Sequence, residues 1–420
     1  MKSSLNSYFL SGFPSPEELK ESLRDVHYPE FREANGHIHT PYSFSAFTDI
    51  AQIFAMALKE NISIVGINDF FVTDGYETFC QKALKVGVFP LFNIEFIGLL
   101  TKEQQLNIRV NDPGNPGRCY FSGKGLNYPF SVDDRLNKKL NSMIVKSQDQ
   151  VRAMMDKANK WFAQLNTGIM LNYDDILINF ARKLVRERHV AKAIRIAVFE
   201  KSAENTARTT LLTDIFGGKA PKSALTDNSG LENEIRDNLL KAGGKAFIKE
   251  NDTAFMNLDE VIEIIVNAGG IPCYPVLLDD KNGNYTEYEK DPERLWQELT
   301  ARNIGCIELI PGRNDIGHLE RFVNFFNDKG FVILLGTEHN TPEMIPLTCD
   351  ARGNLPLSNT LKEISYEGAC VVAAHQYLKA KGFTGFIDNL GLAKSSERDY
   401  YSKLGNTVIH CFRKKFKTNQ

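Results

Sequence analysis

Short β-branched runs alternate with amphipathic stretches in two blocks of this 420-residue chain, and that rhythm restricts the fold more than any other feature. Asp49–Glu60 has helical apolar spacing behind an acidic start, Ile62–Ile67 is a β-branched run, Gly75–Leu84 reads as helix and Val88–Leu100 as strand. The same order returns further on. Leu258–Ala268 reads as helix, Ile271–Leu277 as strand, Pro292–Arg302 as helix, Ile304–Ile310 as strand, Leu319–Lys329 as helix and Phe331–Leu335 as strand. Strand–helix repetition predicts a parallel α/β sheet, open or closed into a barrel.

Between the blocks the pattern changes. Asn111–Gly125 is dense in Gly, Pro and Asn and reads as loop. From about 147 to 217 the spacing is mostly helical, including Val151–Leu165 and Asp175–Phe199, and a further helix is expected over Leu231–Ala242. Ser358–Lys381 and Gly391–Lys415 read as helices bracing the outside. The expected division is an N-terminal extension (1–30), a barrel built from 31–100 and 255–345, a mainly helical insertion (101–254) over one barrel end, and a C-terminal helical extension (346–420).

Charge and cysteine content narrow the function classes. A net charge of −2 and no basic stripe argue against nucleic-acid binding, and the terminal run Arg413–Lys417 reads as a solvated tail. No stretch is long and apolar enough to cross a bilayer, and Met1–Gly12 lacks a signal-peptide core. Seven dispersed cysteines without a C-x-x-C pair argue against a disulfide framework and a structural zinc site, so a reducing cytoplasm is expected.

Two of only eight histidines stand one residue apart in Asn35-Gly36-His37-Ile38-His39-Thr40-Pro41. On a strand, both imidazoles face the same side and form half of a divalent-metal site. Ligands of parallel α/β sheets gather at the carboxyl ends of strands. There the sequence offers Asn68-Asp69, Glu95, Glu308 with Arg313 beyond it, and Glu338-His339. An unpartnered carboxylate inside the apolar run around Glu95 would be costly, which favours a metal or a basic partner. Glu308 reads as a strand-end carboxylate paired with a cation rather than as a ligand. His27, His318, His375 and His410 lack supporting context and read as structural.

The succession of these groups resembles the PHP (polymerase and histidinol phosphatase) family. Its H-x-H-T-x-x-S motif is matched by His37–Ser43, and its T-D-H motif is half matched by Asn68-Asp69-Phe70. Asn93-Ile94-Glu95 corresponds to G-x-E and Arg186–Ala191 to R-x-H-x-A. Ala268-Gly269-Gly270, Cys306-Ile307-Glu308 and Gly336–Asn340 follow in family order. The resemblance spans residues 30–345. It implies a distorted (β/α)7 TIM-like barrel and a hydrolase, foremost a phosphoesterase, acting on a small anionic molecule.

It also implies one or two divalent ions (Zn, Mn or Fe) held by His37, His39, Glu95 and Glu338. Asp69, His189 and His339 would be catalytic, and Arg118, Lys124, Arg186, Arg188 and Arg313 would meet substrate charge. Phe44, Phe70 and Asn340 stand where the family places ligands of a further ion, and Tyr274-Pro275 replaces its H-P pair. Two readings compete: an amidohydrolase-like enzyme acting on C–N bonds or sugar acids, and a degenerate barrel that only binds.

Overall fold

A computed structural model describes residues 9–22, 32–280 and 282–416. His27, most of the expected N-terminal extension and the end of the basic tail lie outside the described residues. The fold is a mixed α/β, nearly closed barrel. Its strands are β1 (Ala34–Ile38), β2 (Ile64–Phe70), β3 (Phe89–Leu99), β4 (Arg118–Lys124), β5 (Met256–Asn257), β6 (Ile271–Val276), β7 (Cys306–Leu309) and β8 (Val332–Leu335). They follow the path β1-β2-β3-β4-β6-β7-β8, with the two-residue β5 paired to β3. Four of the helices that follow strands begin at side-chain caps, Asp49, Asn257, Asp291 and Asp315, which satisfy first-turn N–H groups.

The seam between β1 and β8 closes through an isolated parallel bridge, Ile38 to Glu338. His39 N–H donates to the Glu338 carbonyl and Glu338 N–H to the His37 carbonyl, both at 2.9 Å. Gly336 permits this approach, because a Cβ there would stand 2.5 Å from the His37 Cβ. Glu338 and His339 both adopt left-handed backbone (φ +66° and +55°). Conformations of that kind cost about 1–3 kcal/mol each in non-glycine residues and concentrate at functional sites.

The structure corrects the expected loop at 111–125, which contains β4, antiparallel to both β3 and β6. Its side chains alternate as a strand requires: Cys119 and Phe121 are packed in the outer apolar cluster, while Tyr120 faces the cavity described below and Ser122 and Lys124 face the lumen. Because β4 runs against its neighbours, it returns the chain to the far end of the barrel. One 31-residue helix, Asp134–Gln164, carries it back. Leu136, Leu140 and Met143 of that helix pack with the barrel, whereas Val151–Phe162 pack into a separate cluster with the helices between 173 and 240. The expected single helix over 175–199 is two, Tyr173–Asn179 and Glu187–Lys201.

The helix Asn359–Ala380 is not an outer brace. It is buried on nearly all sides, between β8, β1 and the helix Arg398–Phe416. Gly368 makes the approach to β8 possible, since a Cβ would meet the Ile333 carbonyl at 2.0 Å. Within this helix His375 donates from Nε2 to the Gly269 carbonyl (2.6 Å) and accepts the Phe386 N–H at Nδ1 (3.0 Å). Burial lowers its pKa from 6.5 to about 4. The native state therefore binds fewer protons than the unfolded chain between those values. Stability present above pH 6.5 is expected to fall as pH drops through 4, by up to about 3 kcal/mol. Urea unfolding of the wild type and of His375→Gln, which keeps a donor and an acceptor, checks this. The wild type should show the steeper loss from pH 6.5 to 4, and equal slopes would refute it.

Candidate metal centre

The lumen is polar rather than aliphatic, and this sets the site. His37 projects inward from β1, Asn68 from β2, Glu95 from β3, Ser122 and Lys124 from β4, and Glu308 from β7, all buried. Glu308 organises them. Its Oε2 accepts from Lys124 Nζ (2.5 Å) and from His37 Nδ1 (2.9 Å), and its Oε1 from Ser122 Oγ (2.5 Å). Burial alone would push this carboxyl up, but Lys124 and then His37 hold it well below the carboxylate range. A carboxylate only accepts, so His37 donates to it from Nδ1, while its Nε2 faces the Asn68 side-chain NH2 at 3.0 Å and the triad beyond.

His39 is fixed by a second relay. Its Nδ1 lies 3.2 Å from Ser43 Oγ, and Ser43 donates to Asp69 Oδ1 at 2.6 Å. Asp69 also accepts the Thr40 N–H (2.7 Å) and the Thr40 hydroxyl. The Ser43 proton is thus committed, its oxygen accepts from His39 Nδ1, and His39 Nε2 is turned toward the triad. Burial pushes the Asp69 carboxyl up to about 7, opposed by Ser43 and Thr40, and drives His39 well below its ordinary value.

The two Nε2 atoms stand 3.3 Å apart, and Glu95 Oε2 is 3.3 Å from His39 Nε2 and 3.9 Å from His37 Nε2. That oxygen is buried and accepts no hydrogen bond among the described residues. Burial, opposed by His37, pushes the Glu95 carboxyl up to about 8. These atoms form the one group of three or more His, Cys, Asp or Glu side chains among the described residues with ligand atoms within 4.8 Å of one another. Raised in this way, the Glu95 carboxyl keeps a proton near neutral pH, which a divalent ion would displace on joining the three ligand atoms. The donor set fits a divalent ion.

Glu338, expected as a fourth ligand, lies outside that group. Its carboxylate leans on the Arg313 guanidinium, and against the effect of burial Arg313, His37 and His39 hold its pKa down. Glu338 and Arg313 both line the cavity above the donor triad.

The expected catalytic residues stand elsewhere. Asp69 alternates with Asn68 and Phe70, so it points out of the lumen and braces the segment after β1. His189 accepts the Arg186 N–H at Nδ1 (3.0 Å) and packs edge-on against Phe44. Its burial lowers the pKa to about 3. His339 has both ring nitrogens occupied, by Thr337 Oγ1 (2.8 Å) and the Ile345 carbonyl (2.9 Å), and stacks on Phe47. None of the three lines the cavity. Lys124, expected to meet substrate, is instead sealed in the lumen with Glu308.

The cavity measures about 760 Å³. Phe44, Phe70, Phe71 and Tyr120 wall it, together with Arg118, Arg186, Arg188, Arg313 and Asn340. Arg118 is paired with Glu250 and lies over Phe255. Among the described residues neither Arg186 nor Arg188 has a carboxylate partner. Arg186 lies over Phe70, its Cζ 4.4 Å from the ring centroid, and Phe70 stacks on His39 at 4.9 Å. Arg188 reaches the Asn233 side-chain oxygen, and burial beside Arg236 lowers its pKa to about 10. Sequence reasoning missed Ser43 and Ser122 as struts, although Ser43 stood within the H-x-H-T-x-x-S run that signalled the site.

Solved structures similar to this chain include the following two. A protein described as a metal-dependent phosphoesterase from Bifidobacterium adolescentis superposes with a TM-score of 0.48 at 17% identity, over 80% of this chain and 96% of that one. An amidohydrolase from Chromobacterium violaceum, solved with bound sulfate and no metal, gives 0.49 at 15% identity, over 79% and 96%. No family model matches the chain, and no curated protein does.

Proposed function

We propose that the chain is a PHP-type metal-dependent hydrolase that cleaves a phosphoester of a small anionic molecule in the cytoplasm. His37, His39 and Glu95 hold the divalent ion, zinc, manganese or iron. When bound, such an ion lowers the pKa of a coordinated water and offsets charge on the substrate. Glu308 and the Ser43–Asp69 pair act as positioning residues, aiming both Nε2 atoms at the shared centre. Arg186 and Arg188 receive the substrate's negative charge, and Phe44, Phe70 and Phe71 exclude bulk water. The net reaction joins a water oxygen to phosphorus, breaks the phosphorus–oxygen ester bond and releases an alcohol and phosphate. The helices between β4 and β5 serve as a cap over the barrel.

One observation carries this reading: two imidazole nitrogens and a carboxyl oxygen converge beneath a cavity lined by Arg186 and Arg188, which have no carboxylate partner among the described residues. Elemental analysis of the protein as isolated, followed by a phosphoester and amide panel with and without chelator, tests it. Bound metal and chelator-sensitive phosphoester turnover are expected. Protein without metal that gains no thermal stability from zinc, manganese or iron would overturn it, as would turnover of amides alone.

A further inference from the structure

Among the described residues the donor atoms form one cluster of three; Glu308 and Asn68 flank it on the His37 side, and on the His39 side the neighbouring groups are aromatic. Phe70 covers His39 face to face, Phe71 stands beside Phe70 with ring centroids 5.8 Å apart, and Phe44 packs on His189. These rings offer no lone pairs, so this side of the triad has no donor set for a second ion. A phosphoester carries one or two negative charges, and a hydrolytic transition state spreads that charge over the equatorial oxygens. Some other cation must share it.

Resting on the hydrolase reading above, we propose that Arg186 is that cation: a fixed guanidinium that takes the role of a second ion at a one-ion centre. Several features converge on this residue. Its guanidinium lies over the Phe70 ring that is itself stacked on His39, within electrostatic reach of that imidazole. It lines the cavity and has no carboxylate partner among the described residues. Arg313 and Arg118, by contrast, are already neutralised by Glu338 and Glu250. Its backbone is held at the start of the helix Glu187–Lys201, where its N–H donates to His189 Nδ1 and the helix amides add positive potential. A planar guanidinium held on an aromatic face keeps its N–H edges free for two phosphate oxygens, which an ammonium cannot match.

The test reads anion binding without metal, so it stands apart from catalysis. Calorimetric titration of inorganic phosphate into metal-free protein is compared for the wild type, Arg186→Met, Arg186→Lys and Arg186→Gly, with circular dichroism verifying the fold. Wild-type binding should weaken at least about tenfold in Arg186→Met, recover only in part in Arg186→Lys, and return in Arg186→Gly on adding guanidinium ion. Metal-loaded wild type should hold one ion per chain. Phosphate affinity in Arg186→Met within about twofold of wild type, or two ions per chain, would overturn the proposal. Misfolding of Arg186→Met shifts the decision to the guanidinium rescue, where no recovery overturns it. Failure of the hydrolase reading looks different: phosphate still binds through Arg186, but metal-loaded wild type turns over no phosphoester.

Discussion

Replacing His37 by alanine is expected to lower metal affinity by about 10²- to 10³-fold, because losing one of three side-chain donors forfeits roughly a third of a binding free energy of order 10 kcal/mol. Titration of zinc or manganese into metal-free protein measures this directly. Glu308→Gln isolates the orienting effect. The amide can present its NH2 to His37 Nδ1 and release the Nδ1 proton to Nε2, so affinity should fall by about 10- to 100-fold although no donor atom is removed. If His37→Ala binds metal as tightly as wild type, the triad is not the centre, and the hydrolase reading loses its foundation.

Lys124→Met is expected to be the most destabilising single change in the lumen. Nζ is fully buried and bonded to Glu308 and to the Asn68 side-chain oxygen. Removing one partner of a buried pair leaves an uncompensated charge and costs about 3–5 kcal/mol, whereas replacing both is far cheaper. Urea unfolding at neutral pH should therefore place Lys124→Met well below wild type, with Lys124→Met/Glu308→Gln recovering at least half of the difference. A double variant no more stable than the single one would show that lost packing, not stranded charge, sets the cost.

How far the sequence revealed these features depends on the range of the interactions involved. Strands β2, β3 and β6 to β8 are encoded locally, as short apolar runs between helical patterns, and their order was legible. His37 and His39 were legible because a period of two on a strand puts both rings on one side. β4 was not, since its inward residues are Tyr120, Ser122 and Lys124 and its neighbours are Gly and Pro; only the polar lumen makes that pattern a strand. The direction of Asp69 follows from strand phase, which a turn-like Asn-Asp pair conceals. For His339 and Glu338 the deciding factor is two consecutive left-handed residues at the seam, a tertiary effect with no local signature. Lys124 looked like a loop cation because its partner Glu308 lies 184 residues away.

The antiparallel course of β4 also has a mechanical consequence. At 1.5 Å per residue, the helix Asp134–Gln164 is about 46 Å long, with one half seated on the barrel and the other within the helices that roof the cavity. A continuous rod with no loop between its two seats transmits displacement instead of absorbing it. The roof is therefore not hinged at this connection: any widening of the entrance must bend the rod or slide it along the barrel wall, and Ser147–Met154, which face the cavity at mid-rod, would move with it.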